Sequence, residues 1–406
     1  MNPALEESKD FLHVLIIGNG FDLAHELKTR YTDFLDLASH GLKTKDTNFL
    51  DADRSPSLWY KRFALMNRLE KIGVLKDKRG NWFNLEQEIY EFIRNPTLDK
   101  DLIDKISANE KRFFNIPNDR EEVKLCHYYE QVKLQSDYFT DPNSPLLLDN
   151  SQDMTTVVKA LYERETLIPV YNDTVYNDTV YGLRSFVNDF DEYLSDEVSK
   201  EIETLTQNPK FYFYLKELGG ENTNFQKHTL WVLNFNYTPT FQKLYEPTLT
   251  ERGINVHHCH IHGALGEGNL VLGCQSFDPA DKINPAWNVF TKHHQRHRYE
   301  TIEKYQELLK ELSRFKGEVA FHIIGHSLDQ ADHAILKHAL CSSRNITVQD
   351  SFISVYYHDE EAHFRLINNI TSILGEEAVM ARVRFIDQHD PERGILRRIH
   401  ETSKNQ

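Results

Sequence analysis

LHVLIIGNGFDL, residues 12–23, couples an almost continuous apolar run to a Gly-x-Gly turn. A run of this length, with no polar alternation, suits a strand buried on both faces, as in a parallel sheet. Gly18-Asn19-Gly20 breaks it, and Leu23 to about Leu37 reads as a helix. Strand, glycine turn and helix are the opening of a doubly wound α/β fold. Two readings of the turn stand. Glycines let the backbone approach a ligand, and the helix start presents N–H groups to a pyrophosphate. Equally, they make a tight turn with no ligand. Leu23 occupies the place of the third glycine of the dinucleotide fingerprint, and the charge of Asp22 opposes a neighbouring phosphate.

Outward from this turn the pattern changes. Between about 45 and 225 apolar residues recur at helical spacing, as in Leu58, Trp59, Phe63, Met66 and Leu69, or Phe83, Leu85, Ile89 and Phe92. Residues 121–135 and 183–205 also read as helices. Strand-like runs return at Trp231–Phe235, Val256–His262, Leu270–Gly273, Val319–Gly325, Ile353–Tyr357 and Val383–Ile386. Helical segments are expected at about 298–314, 330–341, 360–374 and 391–402. The expected architecture is therefore a Rossmann-like parallel sheet flanked by helices, formed by 1–44 and 226–406, with a large, mostly helical insertion at 45–225. The tandem VYNDT repeat of Val170–Val180 is too short for a solenoid unit and reads as a surface loop or helix lead-in.

The 406 residues carry a formal charge of −15, which repels bulk duplex nucleic acid. Four scattered cysteines without a CxxC pair fit a reducing cytoplasm and give no zinc ribbon. The polar, acidic first ten residues are unlike a signal peptide, and no apolar stretch approaches the ~20 residues of a membrane span. A cytoplasmic, non-membrane protein is expected.

Three later motifs end strands, where open α/β sheets bind ligands. Asn234-Phe235-Asn236-Tyr237-Thr238 offers Asn236 to a ribose hydroxyl or a water, or as a turn residue before Pro239. His258-Cys259-His260-Ile261-His262-Gly263 places His258, His260 and His262 on one face of a strand. That spacing spreads them over ~13 Å and no further ligand completes a set, so no metal is expected. His262, last before the glycine, is the best-placed general base. Ile324-Gly325-His326-Ser327-Leu328-Asp329 is another strand-to-helix turn, suited to a phosphate edge or to capping the next helix.

IIGNGFDLAHELKTRYTDF, WFNLEQEI (Trp82–Ile89), LNFNYT (Leu233–Thr238), HIHG (His260–Gly263) and IIGHSLDQAD (Ile323–Asp332) together resemble the AbiH family of bacterial abortive-infection proteins linked to phage defence. The family looks like a distant branch of the sirtuin-like (DHS-like) NAD-binding Rossmann proteins. The resemblance implies a glycine turn at Gly18 and Gly20, a ribose-side asparagine at Asn236, a catalytic histidine at His262 and a glycine-x-serine turn at Gly325 and Ser327. Asn19, Asp22, Tyr237, Gly263 and His326 complete the expected nucleotide contacts. Asp22 stands where sirtuin-like proteins usually have serine, and Thr238 where many have aspartate. Without paired cysteines, protein deacylation is disfavoured.

The function implied is NAD binding and cleavage of the nicotinamide–ribose bond during phage defence. Glu86 is a candidate pocket-lining carboxylate, with a helix-surface carboxylate as the alternative. Rival functions are a nucleotide-binding sensor without turnover and a nucleic-acid-directed effector using the basic stretch Lys292–Arg298. A phage or host protein trigger and a homo-oligomer are expectations from the resemblance.

Overall fold

The computed structural model describes residues 11–39, 59, 63, 85–94, 173–218, 229–278, 280, 283, 285–341 and 351–396. The apolar run forms β1 (Phe11–Ile17), in which Leu12, Val14, Leu15, Ile16 and Ile17 have no exposed surface. Each such side chain stabilises the fold by about 1.5–3 kcal/mol relative to exposure. β2 (Thr229–Asn234), β3 (Asn255–His260), β4 (Glu318–Ile324), β5 (Ser351–Tyr357) and β6 (Val383–Asp387) complete one sheet. Every neighbouring pair is parallel, in the order β3-β2-β1-β4-β5-β6. That is the strand order of a doubly wound, Rossmann-like sheet, and the order reverses between β1 and β4.

Both faces are covered. Leu12, Val14 and Ile16 pack in one core with Leu308 and Leu312 of the Glu303–Arg314 helix, Leu336 and Leu340 of the His333–Cys341 helix, and Leu366 and Ile370 of the Glu360–Leu374 helix. Leu15 and Ile17 pack on the other face with Phe211 and Leu215 of the Pro209–Leu218 helix and Phe241 of the Thr240–Leu244 helix. This two-sided burial is why the strands read as unbroken apolar runs.

The chain divides into two compact units, Met1–Thr29 with Asp191–Gln275 and Lys292–Gln406, and Arg30–Phe190 with Ser276–Thr291. The sheet belongs to the first. In the second, the described residues include the α-helices Tyr31–Ser39, Leu85–Arg94 and most of Asp173–Tyr193, and the 3-10 helix Pro285–Phe290. Its buried rings interlock edge to face, with Phe63 to Phe186 at 5.0 Å and Phe34 to Phe186 at 5.5 Å. Glu86 lies on the Leu85–Arg94 helix. The second VYNDT copy enters the Asp173–Tyr193 helix. The helix expected at 121–135 lies outside the described residues, as does most of 58–69. Among the described residues no helix is long and apolar enough to cross a membrane.

Four local expectations are corrected. The helix expected from Leu23 to Leu37 is two, Asn19–Ala24 and Tyr31–Ser39, because Glu26 takes a left-handed φ of 65° between them. Glu300 breaks the 298–314 segment in the same way, at φ 58°. Leu270–Gly273 is buried but is no strand. The Gln295 side chain supplies what a strand neighbour would, with its Nε2 donating to Leu272 O (2.9 Å) and its Oε1 accepting from Leu272 N (3.0 Å). Residues 391–396 are not helical, because Gln388 Oε1 accepts from Ile395 N and Leu396 N and turns both side chains into the core. Residues 397–402 lie outside the described set.

The turns after β1 and β4 touch backbone to backbone. Gly18 N donates to Ile324 O (3.1 Å) and Gly20 N to Gly325 O (2.8 Å). A Cβ on Gly325 would lie 2.3 Å from Phe21 N, and one on Gly20 would lie 2.7 Å from Gly325 Cα. Gly325 also sits at φ 64°. Gly325→Ala should therefore destabilise the protein by at least about 3 kcal/mol, combining a left-handed residue with overpacking against immovable backbone. Gly253→Ala, at a similar φ but facing open space, should lose only about 1 kcal/mol. Urea unfolding midpoints compare the two, and equal losses would show that the turn contact does not require glycine.

Candidate functional site

All four candidate motifs lie at the carboxyl edge of the sheet. β1 ends at Gly18, whose carbonyl accepts from Asn236 Nδ2 at 3.0 Å. Asn236 is buried, and its own N–H donates to Asn234 Oδ1 at 2.8 Å, which shapes the turn after β2. A Cβ on Gly18 would lie 2.7 Å from His326 Cα, so the turns after β1, β2 and β4 are in direct contact. The amides of Gly18 and Gly20, which the phosphate reading aims at a ligand, are engaged by the carbonyls of Ile324 and Gly325.

Alternate residues of the β2 turn face two different polar clusters. The first surrounds Asp22, which is 1% exposed. Thr238 Oγ1 donates to Asp22 Oδ2 at 2.5 Å, and Thr240 Oγ1 donates to Thr238 Oγ1 at 3.1 Å. Oδ1 has no hydrogen-bond partner among the described residues. Burial without a cation pushes this carboxyl up to about 7, against the smaller opposing effects of Thr238, Thr240 and Asn236.

The second cluster surrounds His262. The β3 strand stops at His260, so His262 does not share a face with His258 and His260 but turns toward the loop after β4. His262 Nε2 lies 3.0 Å from Asp332 Oδ1. Asp332 also accepts from Lys292 Nζ (3.1 and 3.2 Å) and Arg296 Nη2 (2.5 Å), and all four side chains are buried. Lys292 and Arg296 project from one face of the Lys292–Arg298 helix at i, i+4 spacing. Burial lowers His262 to about 3; the Lys292 and Arg296 cations add to this and Asp332 opposes it. Asp332 is held well below the carboxylate range, because Lys292, His262 and Arg296 outweigh its burial. At neutral pH the contact is thus between a neutral ring and a carboxylate. Phe235 stands edge-on to both His262 (5.3 Å) and His326 (4.2 Å). Leu328 N donates to His326 Nδ1 at 2.9 Å, leaving the His326 proton on Nε2, 3.9 Å from Asp332 Oδ2.

The remaining predicted residues are distributed around these clusters. Asn19 Oδ1 accepts from Thr29, and Tyr237 OH donates to Val271 O at 3.0 Å. Gly263 turns at φ 83° against Asn269. Ser327 is exposed and donates to Asp329 at 2.7 Å. His260 lies on the far side, with Nδ1 2.9 Å from Asn236 O. Among the described residues no three His, Cys, Asp or Glu side chains are grouped to hold a metal ion. Sequence reasoning missed Lys292, Arg296 and Asp332 as one constellation. The i, i+4 spacing of Lys292 and Arg296 was visible, but spacing alone does not separate a buried pair of cations from a solvated face.

A family model described as Bacteriophage abortive infection AbiH matches residues 14–355, a span containing both polar clusters. No curated protein and no solved structure matches the chain.

The raised Asp22 carboxyl has a measurable consequence. Between its unfolded value of 3.8 and its folded value of about 7, the native state holds the proton more tightly. Stability is therefore lost as pH rises through that window, by up to about 4 kcal/mol. Asp22→Asn removes the titration and should gain on the wild type by that order between about pH 4 and pH 8. Urea melts at both ends check this, and a difference independent of pH would contradict the assignment.

Proposed function

The chain belongs to the bacteriophage abortive infection AbiH family, and from that premise we propose an effector that binds NAD and hydrolyses its nicotinamide–ribose bond in a sirtuin-like pocket. The family carries the abortive-infection role; the nucleotide chemistry rests on the site. The observation that supports it is the convergence of Gly18, Asn236, His262 and His326 from four strand ends beside the β1–β4 switch point, the ligand crevice of open α/β sheets.

In this reading the carbon–nitrogen bond at the nicotinamide ribose breaks and its electron pair leaves with nicotinamide. Water adds to the sugar carbon, and its proton passes to His262, giving ADP-ribose. Asn236 holds the ribose and the water. Because the Gly18 and Gly20 amides are engaged, the diphosphate falls to Asn19 and Ser327, which keep surface at the rim. With its carboxyl pushed up to about 7, Asp22 carries less negative charge near neutral pH than an exposed aspartate, which reduces its repulsion of the phosphates when it faces a ribose hydroxyl.

The low basicity of His262 favours a second reading, nucleotide binding without turnover. The nucleic-acid reading weakens, because Lys292 and Arg296 are buried on Asp332 and leave Arg298 as the stretch's exposed permanent cation. Purified protein is incubated with NAD, NADP and ATP, and released nicotinamide is followed. Wild type should release it, and His262→Ala and Asn236→Ala should each slow release by at least about 100-fold. Variants as fast as wild type would refute the assignment. A melting temperature raised by NAD or ADP-ribose with no product would establish the second reading instead.

A further inference from the structure

We propose that Asp332, clamped by Lys292 and Arg296, is a positioning residue that fixes His262 with its proton on Nε2, so that Nδ1 is the atom offered to a substrate. The catalytic use of that atom rests on the function proposed above; the tautomer itself does not.

Two groups compete for His262 Nε2. Asp332 Oδ1 lies 3.0 Å away and Arg296 Nη2 3.1 Å away. A bare Nε2 would set two acceptors 3.0 Å apart, whereas an Nε2–H donates to a carboxylate, a stronger acceptor than a neutral ring nitrogen is for arginine. Arg296 Nη2 already donates to the same Oδ1. Nδ1 makes no hydrogen bond among the described residues. The ring is wedged by Phe235 at a right angle (89°) and by Tyr237 at 6.2 Å, which opposes a flip that would exchange the nitrogens.

The groups facing the ring come from three elements. Asp332 and His326 lie on the loop after β4, Lys292 and Arg296 on the 292–298 helix, and Phe235 and Tyr237 on the turn after β2. A base oriented by a buried carboxylate is the general logic of nucleophile-activating dyads. Here Lys292 Nζ and Arg296 Nη2 both donate to the carboxylate, which holds it in place against the ring. Its part is geometric.

The test uses the full chain labelled with ¹⁵N-histidine, with His262→Gln identifying the signal. Wild-type His262 should show a protonated Nε2 and a bare Nδ1 across about pH 6–8. A protonated Nδ1 overturns the proposal without any variant. Asp332→Asn should mix or reverse the tautomer. It should also lower kcat for NAD cleavage at least about 100-fold while KM stays within about threefold. Unchanged tautomer and kcat would overturn it. If Asp332→Asn does not fold, Lys292→Gln keeps the carboxylate: the ring should retain its Nε2 proton and titrate at higher pH, having lost a neighbouring cation. An unmoved titration would overturn the clamp. A wild type that releases no nicotinamide counts against the proposed function, and the ¹⁵N spectrum still decides the tautomer.

Discussion

The backbone contact between the turn after β1 and the turn after β4 is the constraint on which the site depends. Gly20 N reaches Gly325 O only because neither residue carries a Cβ. That approach sets the height of the first helix relative to His326, and Asn236 then ties the β2 turn to the same point through Gly18 O. The glycine signature thus reports protein against protein in this chain. The Gly18 and Gly20 amides are taken up by the carbonyls of Ile324 and Gly325.

One sheet edge holds two buried carboxylates whose titrations are driven in opposite directions. Among the described residues Asp22 meets hydroxyls and an amide but no cation, so burial drives its carboxyl up. Asp332 meets two cations and stays ionised. The divider is the β2 turn, whose alternate residues point to opposite sides: Phe235 and Tyr237 toward His262, Asn236 and Thr238 toward Asp22. Sites that drive titratable groups apart in this way can hold a proton donor and a proton acceptor at the same pH.

The sheet was largely legible in the sequence, because strands buried on both faces leave unbroken apolar runs, and five of the six expected β runs outside LHVLII appear as strands. The failure at Leu270–Gly273 has a physical cause: the Leu272 backbone is paired by the Gln295 side chain and Val271 O by Tyr237 OH, and a hydropathy pattern cannot reveal that. Helix ends were misjudged where Glu26 and Glu300 adopt left-handed conformations without a glycine to mark them. The placement of Asn236 and His262 at the carboxyl edge of the sheet was readable from the strand-like runs that precede them. The Lys292–Arg296–Asp332 clamp was not, since a basic helix seen alone looks like a solvated face, and only the fold brings the carboxylate of the β4 loop against it.

The register of β1 also governs when the domain can come into being. Its two hydrogen-bonding neighbours are translated roughly 200 and 300 residues after it, so each pairing closes a long loop before any contact offsets the lost chain entropy. A growing chain on the ribosome therefore carries its most apolar strand unpaired until β2 and then β4 emerge. Asp332, which follows β4, arrives later still. The cluster around His262 cannot assemble on a chain that ends before Asp332. Late closure leaves LHVLII without its sheet partners during synthesis, the condition in which an unpaired apolar segment is prone to aggregate.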